Sequence, residues 1–276
     1  MSFASDRITK VLDLLSTSKT IKISLLVELL SVSHATLSRD LDNLEKGGII
    51  KRTHGFVTLE GADNTGKRFA FCHSIKRRIA KDAASFVEEG ETVLLESGSC
   101  CALFAEELAV SGKKATIITN SIFITNYIHK MQNIKIIVLG GILQPESQVL
   151  VGPMTINCAE NLFFDKFFIG TNGFIPGQGF TGSDQLRAST ALELANKAKK
   201  CFILTEAEKF SRRGAFELIQ LNRVSGVFTD DSIPKEAESA LIKNNVMVRK
   251  VPSVEEKTKW RQFPGQPPVL YKEKEE

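Results

Sequence analysis

Five short apolar runs in this chain are each followed by a turn built from residue types that hold a phosphoryl group. The turns read Glu96-Ser97-Gly98-Ser99-Cys100, Thr119-Asn120-Ser121, Gly140-Gly141, Gly170-Thr171-Asn172-Gly173 and Thr205-Glu206-Ala207-Glu208-Lys209. Such turns offer backbone N–H groups, hydroxyls and helix N-termini to an anion. Asn172, Asp184 and Lys209 add groups suited to sugar hydroxyls or charge. Any one turn has an ordinary explanation, because strand-to-helix turns favour Gly and Ser. Their succession points to a small-molecule pocket. The dinucleotide pattern GxGxxG and the P-loop pattern GxxxxGK[ST] are both read as missing, so no nicotinamide or flavin cofactor and no ATP hydrolysis is expected.

A second constellation lies near the start of the chain. Ser33 can cap a helix in which Leu37, Leu41 and Leu44 share one face. At about 100° per residue, Ala35, Arg39 and Asp42 point the other way, flanked by Thr36 and Ser38. An apolar seam with short polar or basic residues opposite it suits a helix that enters a DNA major groove. Gly47-Gly48 ends this helix, and residues 49–52 and 56–59 read as strands joined by Thr53-His54-Gly55. Lys51, Arg52 and His54 would place that tip on phosphates or a minor groove. Upstream, Ser5 can cap a helix over residues 6–15, and Ser24 a second with Leu25, Leu26, Leu29 and Leu30 inward. The layout is a winged helix-turn-helix. The bland alternative is a helical bundle that binds protein, and the nearly balanced charge of the first sixty residues weakens a purely electrostatic case for DNA.

The elements that position the five turns alternate strand and helix. Unbroken apolar runs at 92–95, 115–118, 134–139, 167–169, 202–204 and 227–228 predict strands buried on both faces. Helical patterns fall at 79–88, 102–110, 122–130, 186–198 and 236–243. The expected fold is α/β: a mostly parallel sheet wrapped by helices, with ligands at strand carboxyl ends. Residues 1–59 then form the small N-terminal domain, with the helix-turn-helix at about 21–40, 60–76 a linker and 77–252 the larger domain. The segment 253–276, with Pro264, Pro267 and Pro268 and a KEKEE end, is expected to be disordered.

Composition narrows the classes further. The 276 residues suit two domains, and a net charge of +4 leaves no dominant basic tail. No apolar run reaches membrane-spanning length and no signal peptide opens the chain, so a soluble, cytoplasmic protein without a membrane partner is expected. The five cysteines show no CxxC spacing; reduced thiols are expected, Cys72, Cys158 and Cys201 as small buried hydrophobes, and no metal site.

These motifs resemble the DeoR-type family of bacterial transcriptional regulators over roughly residues 5–252. The resemblance rests on Ser33, Thr36, Arg39, Asp40, Leu41, Leu44 and Arg52-Thr53-His54-Gly55, then on Ser97-Gly98, Thr119-Asn120-Ser121, Leu139-Gly140-Gly141, Gly152-Pro153, Ile169-Gly170, Gly173, Thr181 and Lys209. It implies a C-terminal domain related to sugar-phosphate isomerases that senses a phosphorylated sugar. It also implies homo-oligomers, dimeric or tetrameric, on double-stranded operator DNA, and repression of a sugar-utilisation operon relieved by the effector. The expected DNA contacts are Ser33, Thr36, Ser38, Arg39, Lys51, Arg52 and His54. The expected effector contacts are Ser97, Gly98, Ser99, Cys100, Thr119, Asn120, Ser121, Gly140, Gly141, Asn172, Gly173, Thr181, Asp184 and Lys209, with no catalytic residue.

The chain departs from the family pattern in several places. Ser38 stands where the family has a second basic residue, and Phe56 replaces a Gly after the wing turn. The usual DSGTT reads ESGSC, Asn172 replaces an Asp, and Arg187 is the strong charge in a segment that usually carries Glu and a Lys-Arg pair. Glu206 and Glu208 are new neighbours of Lys209. Two rivals stay open: an aldose–ketose isomerase using Glu96, Asp184 and Lys209, and a DNA-binding activator with no small ligand.

Overall fold

The computed structural model describes residues 3–18, 20–59, 65–253, 258–261 and 269–272. Residues 60–64 of the expected linker lie outside the described residues. Helix α1 (Phe3–Ser18) begins ahead of Ser5 and buries Val11, Leu12 and Leu15 completely. Strand β1 (Thr20–Lys22), not anticipated, runs directly into α2 (Ile23–Leu30), so Lys22 rather than Ser24 occupies the cap position. Ser31 turns the chain in the left-handed region (φ 51°). Helix α3 (His34–Lys46) then starts at Ser33, whose Oγ accepts the Thr36 N–H at 3.2 Å. Leu37, Leu41 and Leu44 face inward as their spacing requires. Asp40, also buried, accepts from Arg7 Nη2 at 3.0 Å, which ties α1 to α3. Strands β2 (Ile50–Thr53) and β3 (Phe56–Leu59) form the wing, with β3 central between β1 and β2. Its turn holds His54 at φ 49° and Gly55 at φ 81°, the two positive values a two-residue hairpin turn needs.

The segment read as a linker contains structure. Helix α4 (Thr65–Ala70) precedes α5 (His73–Ala84), which starts six residues earlier than the periodicity suggests. Phe69 is fully buried and meets Phe123 and Tyr127 edge-on at 5.7 and 5.2 Å. One apolar core therefore runs from the winged helix through α4 to a face of the main sheet.

The larger domain follows as β4 (Thr92–Leu95), α6 (Ser99–Val110), β5 (Ala115–Thr119), α7 (Ile122–Ile128), β6 (Ile134–Val138), β7 (Ile142–Gln144), β8 (Val149–Val151), α8 (Pro153–Cys158), β9 (Lys166–Ile169), β10 (Gly173–Ile175), β11 (Gly179–Gly182), α9 (Gln185–Lys197), β12 (Lys200–Leu204), β13 (Phe216–Gln220), β14 (Gly226–Asp230), α10 (Lys235–Lys243) and β15 (Met247–Val251). Seven of these strands form one parallel sheet in the order β15-β14-β12-β9-β4-β5-β6. Successive residues alternate between two cores: Val93 and Leu95 face one, Leu94 the other; Phe168 faces one, Phe167 and Ile169 the other. The fold class is α/β, as the unbroken apolar runs required. The order reverses between β4 and β9, and that reversal opens a crevice at the strand carboxyl ends.

Smaller sheets decorate this frame. Strands β10, β11 and β13 pair antiparallel, as do β7 and β8. Contrary to the expectation that the pattern is missing, a GxGxxG spacing does occur, at residues 177–182. It spans the turn and second strand of the β10–β11 hairpin rather than opening a helix, so it lacks the geometry that seats a pyrophosphate. Edge strand β15 escaped the periodicity because Arg249 and Lys250 interrupt its apolar run. Within the tail expected to be disordered, β16 (Thr258–Arg261) and β17 (Val269–Lys272) pair antiparallel; its other residues beyond Ser253 lie outside the described residues. Cys158 is exposed, contrary to the expected burial, because it ends a short surface helix. Among the described residues, no helix is long and apolar enough to cross a membrane.

Candidate functional site

The outward face of α3 carries Ser33, Ser38 and Arg39, all exposed, and Thr36, half-buried with its hydroxyl 2.9 Å from Ser33 Oγ. Lys51 and His54 are exposed on the wing. Arg52 is placed differently. Its N–H and Nε both donate to Glu45 at 2.8 Å, and its Nη2 reaches Asp42 at 2.5 Å. These bonds hold the Glu45 carboxyl below the ordinary carboxylate range. Arg52 thus fastens the wing to α3, and its charge is already shared by two carboxylates.

A cavity of about 860 Å³ opens at the sheet reversal. Ser97, Gly98, Ser99 and Cys100 after β4, Asn172 after β9, Lys209 after β12 and Asp184 before α9 all line it. Three sequence turns therefore converge, because β4, β9 and β12 are adjacent strands. Helix α6 points its N-terminus into this space. Its cap position is Gly98, which offers no side chain to the first N–H groups, and such groups lack partners within a helix.

The other half of the expected set lies elsewhere. Thr119, Asn120 and Ser121 are buried beyond the cavity: Thr119 Oγ1 accepts the Ser121 N–H, Ser121 Oγ caps α7 at 3.1 Å, and Asn120 Nδ2 holds the Leu150 carbonyl at 2.9 Å. Gly140 and Gly141 follow β6, two strands further out; a side chain at Gly141 (φ 151°) would run into Thr155 and the Val151 backbone. Gly173 lies against the Arg212 backbone, where a Cβ would clash, and Thr181 Oγ1 accepts the Gly214 N–H at 2.8 Å. These seven residues shape loops around the crevice without lining it.

Sequence reasoning missed the cavity's charge network. Arg187 clamps Glu96 through two bonds, Nε to Oε1 at 2.5 Å and Nη2 to Oε2 at 3.0 Å, with Glu96 only 2% exposed. Lys76 Nζ lies 3.0 Å from Glu206 Oε1 and also donates to the Phe71 carbonyl at 2.6 Å and to that of Arg68. Burial is the largest single influence and raises the Glu206 carboxyl, but Lys76, the residue's own backbone N–H and Lys209 together leave it below its ordinary range. Cys100 Sγ sits 3.8 Å from Glu206 Oε2; burial and then that carboxylate push its thiol well up, so it stays protonated. At the mouth, Lys209 and Arg212 both lie 3.3 Å from Glu208. Asp184 accepts the Arg187 N–H at 2.8 Å and Gln144 Nε2 at 3.0 Å. The basic residues were visible in the sequence, but no local pattern pairs residues 76 and 206, or 96 and 187.

Known proteins match along the same two units. The DeoR-like helix-turn-helix domain matches residues 7–60, and the DeoR C terminal sensor domain matches residues 72–231. A lactose phosphotransferase system repressor from Staphylococcus epidermidis is 28% identical over 82% of this chain and 92% of its own. An L-fucose operon activator from Haemophilus influenzae is 24% identical over 78% of this chain and 88% of its own. Ribose 5-phosphate isomerase A from Neisseria gonorrhoeae, 19% identical over 49% of this chain and 52% of its own, superposes with a TM-score of 0.36, too low to carry an isomerase reading. With a winged helix that presents a polar outward face, a parallel sheet with its pocket at the reversal, and both domains of the family matched in order, this chain belongs to the DeoR family of DNA-binding transcriptional regulators.

Proposed function

We propose that the protein represses a sugar-utilisation operon and that a phosphorylated sugar in the cavity controls it. The observation that carries this reading is the cavity at the sheet reversal, into which α6 directs its N-terminus beside Ser97 and Ser99. An anion there meets N–H groups and a helix dipole. Lys209 and Arg212 at the mouth supply positive charge, and Asn172 and Asp184 supply acceptors for sugar hydroxyls. The relative named as a lactose phosphotransferase system repressor supports the repressor sense, and the one named as an activator keeps the opposite sign in view.

The isomerase alternative needs a carboxylate free to abstract a proton beside the sugar carbon. Glu96 is held by Arg187, and Asp184 caps α9. Neither is poised as a base, so the reading is of a sensor without catalysis or cofactor.

On DNA, a homodimer would present two α3 helices to half-sites about one turn apart. Thr36, Ser38 and Arg39 would read base edges, while Ser33, Lys51 and His54 contact the backbone. Arg52 would act by holding the wing. Arg39→Ala is expected to weaken binding to the operator by about 10–100-fold, the loss of one good base contact. Fluorescence anisotropy on the chain's own upstream DNA measures this. Unchanged affinity would remove Arg39 from the reading face.

A further inference from the structure

The cavity has a wall that the sensor domain does not supply. Ser16 near the end of α1, Thr20 on β1, and Thr58 and Leu59 on β3 line it, across from the turns after β4 and β9. Thr20 and Thr58 are direct cross-strand partners with their Oγ1 atoms 3.3 Å apart. Residues along a strand alternate faces. Thr20 and Thr58 therefore project away from Ile21 and Val57, which are buried in the winged-helix core. Lys51 pairs with Thr58 in the same row, so the row has a cationic end. Ser16 Oγ donates to the Asp13 carbonyl at 2.7 Å, which leaves its oxygen able to accept. Among the described residues, none from α3 or the wing turn lines the cavity. The hydroxyl wall is thus separate from the outward face of α3, while Lys51 at the end of its row belongs to the proposed DNA-backbone contacts.

We propose that the effector site is shared between the two domains. The anionic end of the ligand lies at the N-terminus of α6, and its hydroxyl-bearing body lies against Ser16, Thr20 and Thr58 of the DNA-binding domain. The proposal rests on the reading above that a phosphorylated sugar is the effector. The cavity is at the large end of the roughly 300–1,000 Å³ typical of small-molecule sites, which leaves room for a ligand that touches both walls. A ligand in contact with both bodies binds with an affinity that depends on their relative placement. DNA that selects one placement of the winged helices must then change ligand affinity, and the ligand must change DNA affinity by the same factor. No relay through the sheet is required.

The test uses full-length protein and calorimetry with two kinds of probe: inorganic phosphate, and a panel of hexose and pentose phosphates. The double variant Thr20→Val/Thr58→Val removes both hydroxyls at nearly constant volume. Ser99→Ala alters the sensor wall alone. The double variant is expected to bind the sugar phosphate about tenfold more weakly, as for one or two lost hydrogen bonds, with inorganic phosphate unaffected. Ser99→Ala is expected to weaken both probes. If Ser99→Ala weakens sugar-phosphate binding and the double variant binds like wild type, the two-domain site is overturned while the effector reading stands. If wild type binds no probe, or neither variant changes binding, both are overturned. Matching thermal melts of the variants and wild type exclude misfolding as the cause of a loss.

Discussion

A Lys76→Met variant is expected to lose about 3–5 kcal/mol of stability, because it leaves a buried carboxylate without its partner. Lys76 and Glu206 are 3% and 7% exposed and meet at 3.0 Å. The same Nζ holds the carbonyls of Arg68 and Phe71, the last turn of α4 and the residue after it. One ammonium thus joins the end of β12 to the segment that leads back to the winged helix. Urea unfolding at neutral pH measures the loss. Lys76→Met/Glu206→Leu should recover most of it, since an apolar pair avoids the stranded charge. A single variant as stable as wild type, or a double variant no better than the single, would show that the pair does not hold this junction. The pair also sets a pH dependence. Because the folded Glu206 carboxyl lies below its unfolded value, its contribution is present above the unfolded pKa and is lost as pH falls through the folded one.

One turn earlier on α5, His73 should make the chain acid-sensitive above that range. Its ring is fully buried, lies 5.2 Å from Phe69, and has no hydrogen-bond partner at either nitrogen. Burial, helped by Arg77 and Lys76, pushes its pKa down to about 3. The folded imidazole is therefore neutral where the unfolded one binds a proton. Stability should fall as pH drops below the unfolded value near 6.5 and continue falling to about 3. The total is roughly 3–5 kcal/mol, since each pH unit between the folded and unfolded values contributes about 1.36 kcal/mol. His73→Leu should flatten this slope between pH 6.5 and the carboxylate range, as read by urea midpoints across pH. Parallel curves for the variant and wild type would mean that His73 is not the titrating group.

The sequence revealed elements better than it revealed neighbours. Apolar runs such as Thr92–Leu95 marked six of the seven main-sheet strands, because a strand buried on both faces has no polar position. Ser33 was legible as a cap because capping is local. Strand order was not legible. With β4 beside β9, the turns holding Ser97 and Asn172 meet across the crevice, while those holding Asn120 and Gly141 fall one and two strands away. All of these turns have the composition of a phosphate cradle, and only adjacency separates the lining from loop chemistry. Arg52 shows the same limit. Its type and place on the wing suggest a phosphate contact, but Glu45, seven residues earlier and in the last turn of α3, claims its guanidinium. The hydroxyl wall at Thr20 and Thr58 was hidden because β1 is three residues long and has no periodic signature of its own.

The most direct measurement is fluorescence anisotropy of the full-length protein on its own upstream DNA, at several salt concentrations, with and without a panel of sugar phosphates. Tight binding that weakens with salt, exceeds binding to unrelated DNA, and is released by one phosphorylated sugar is the predicted result. Equal affinity for unrelated DNA, or operator binding that no phosphorylated sugar alters, would contradict a repressor governed by the cavity beside α6.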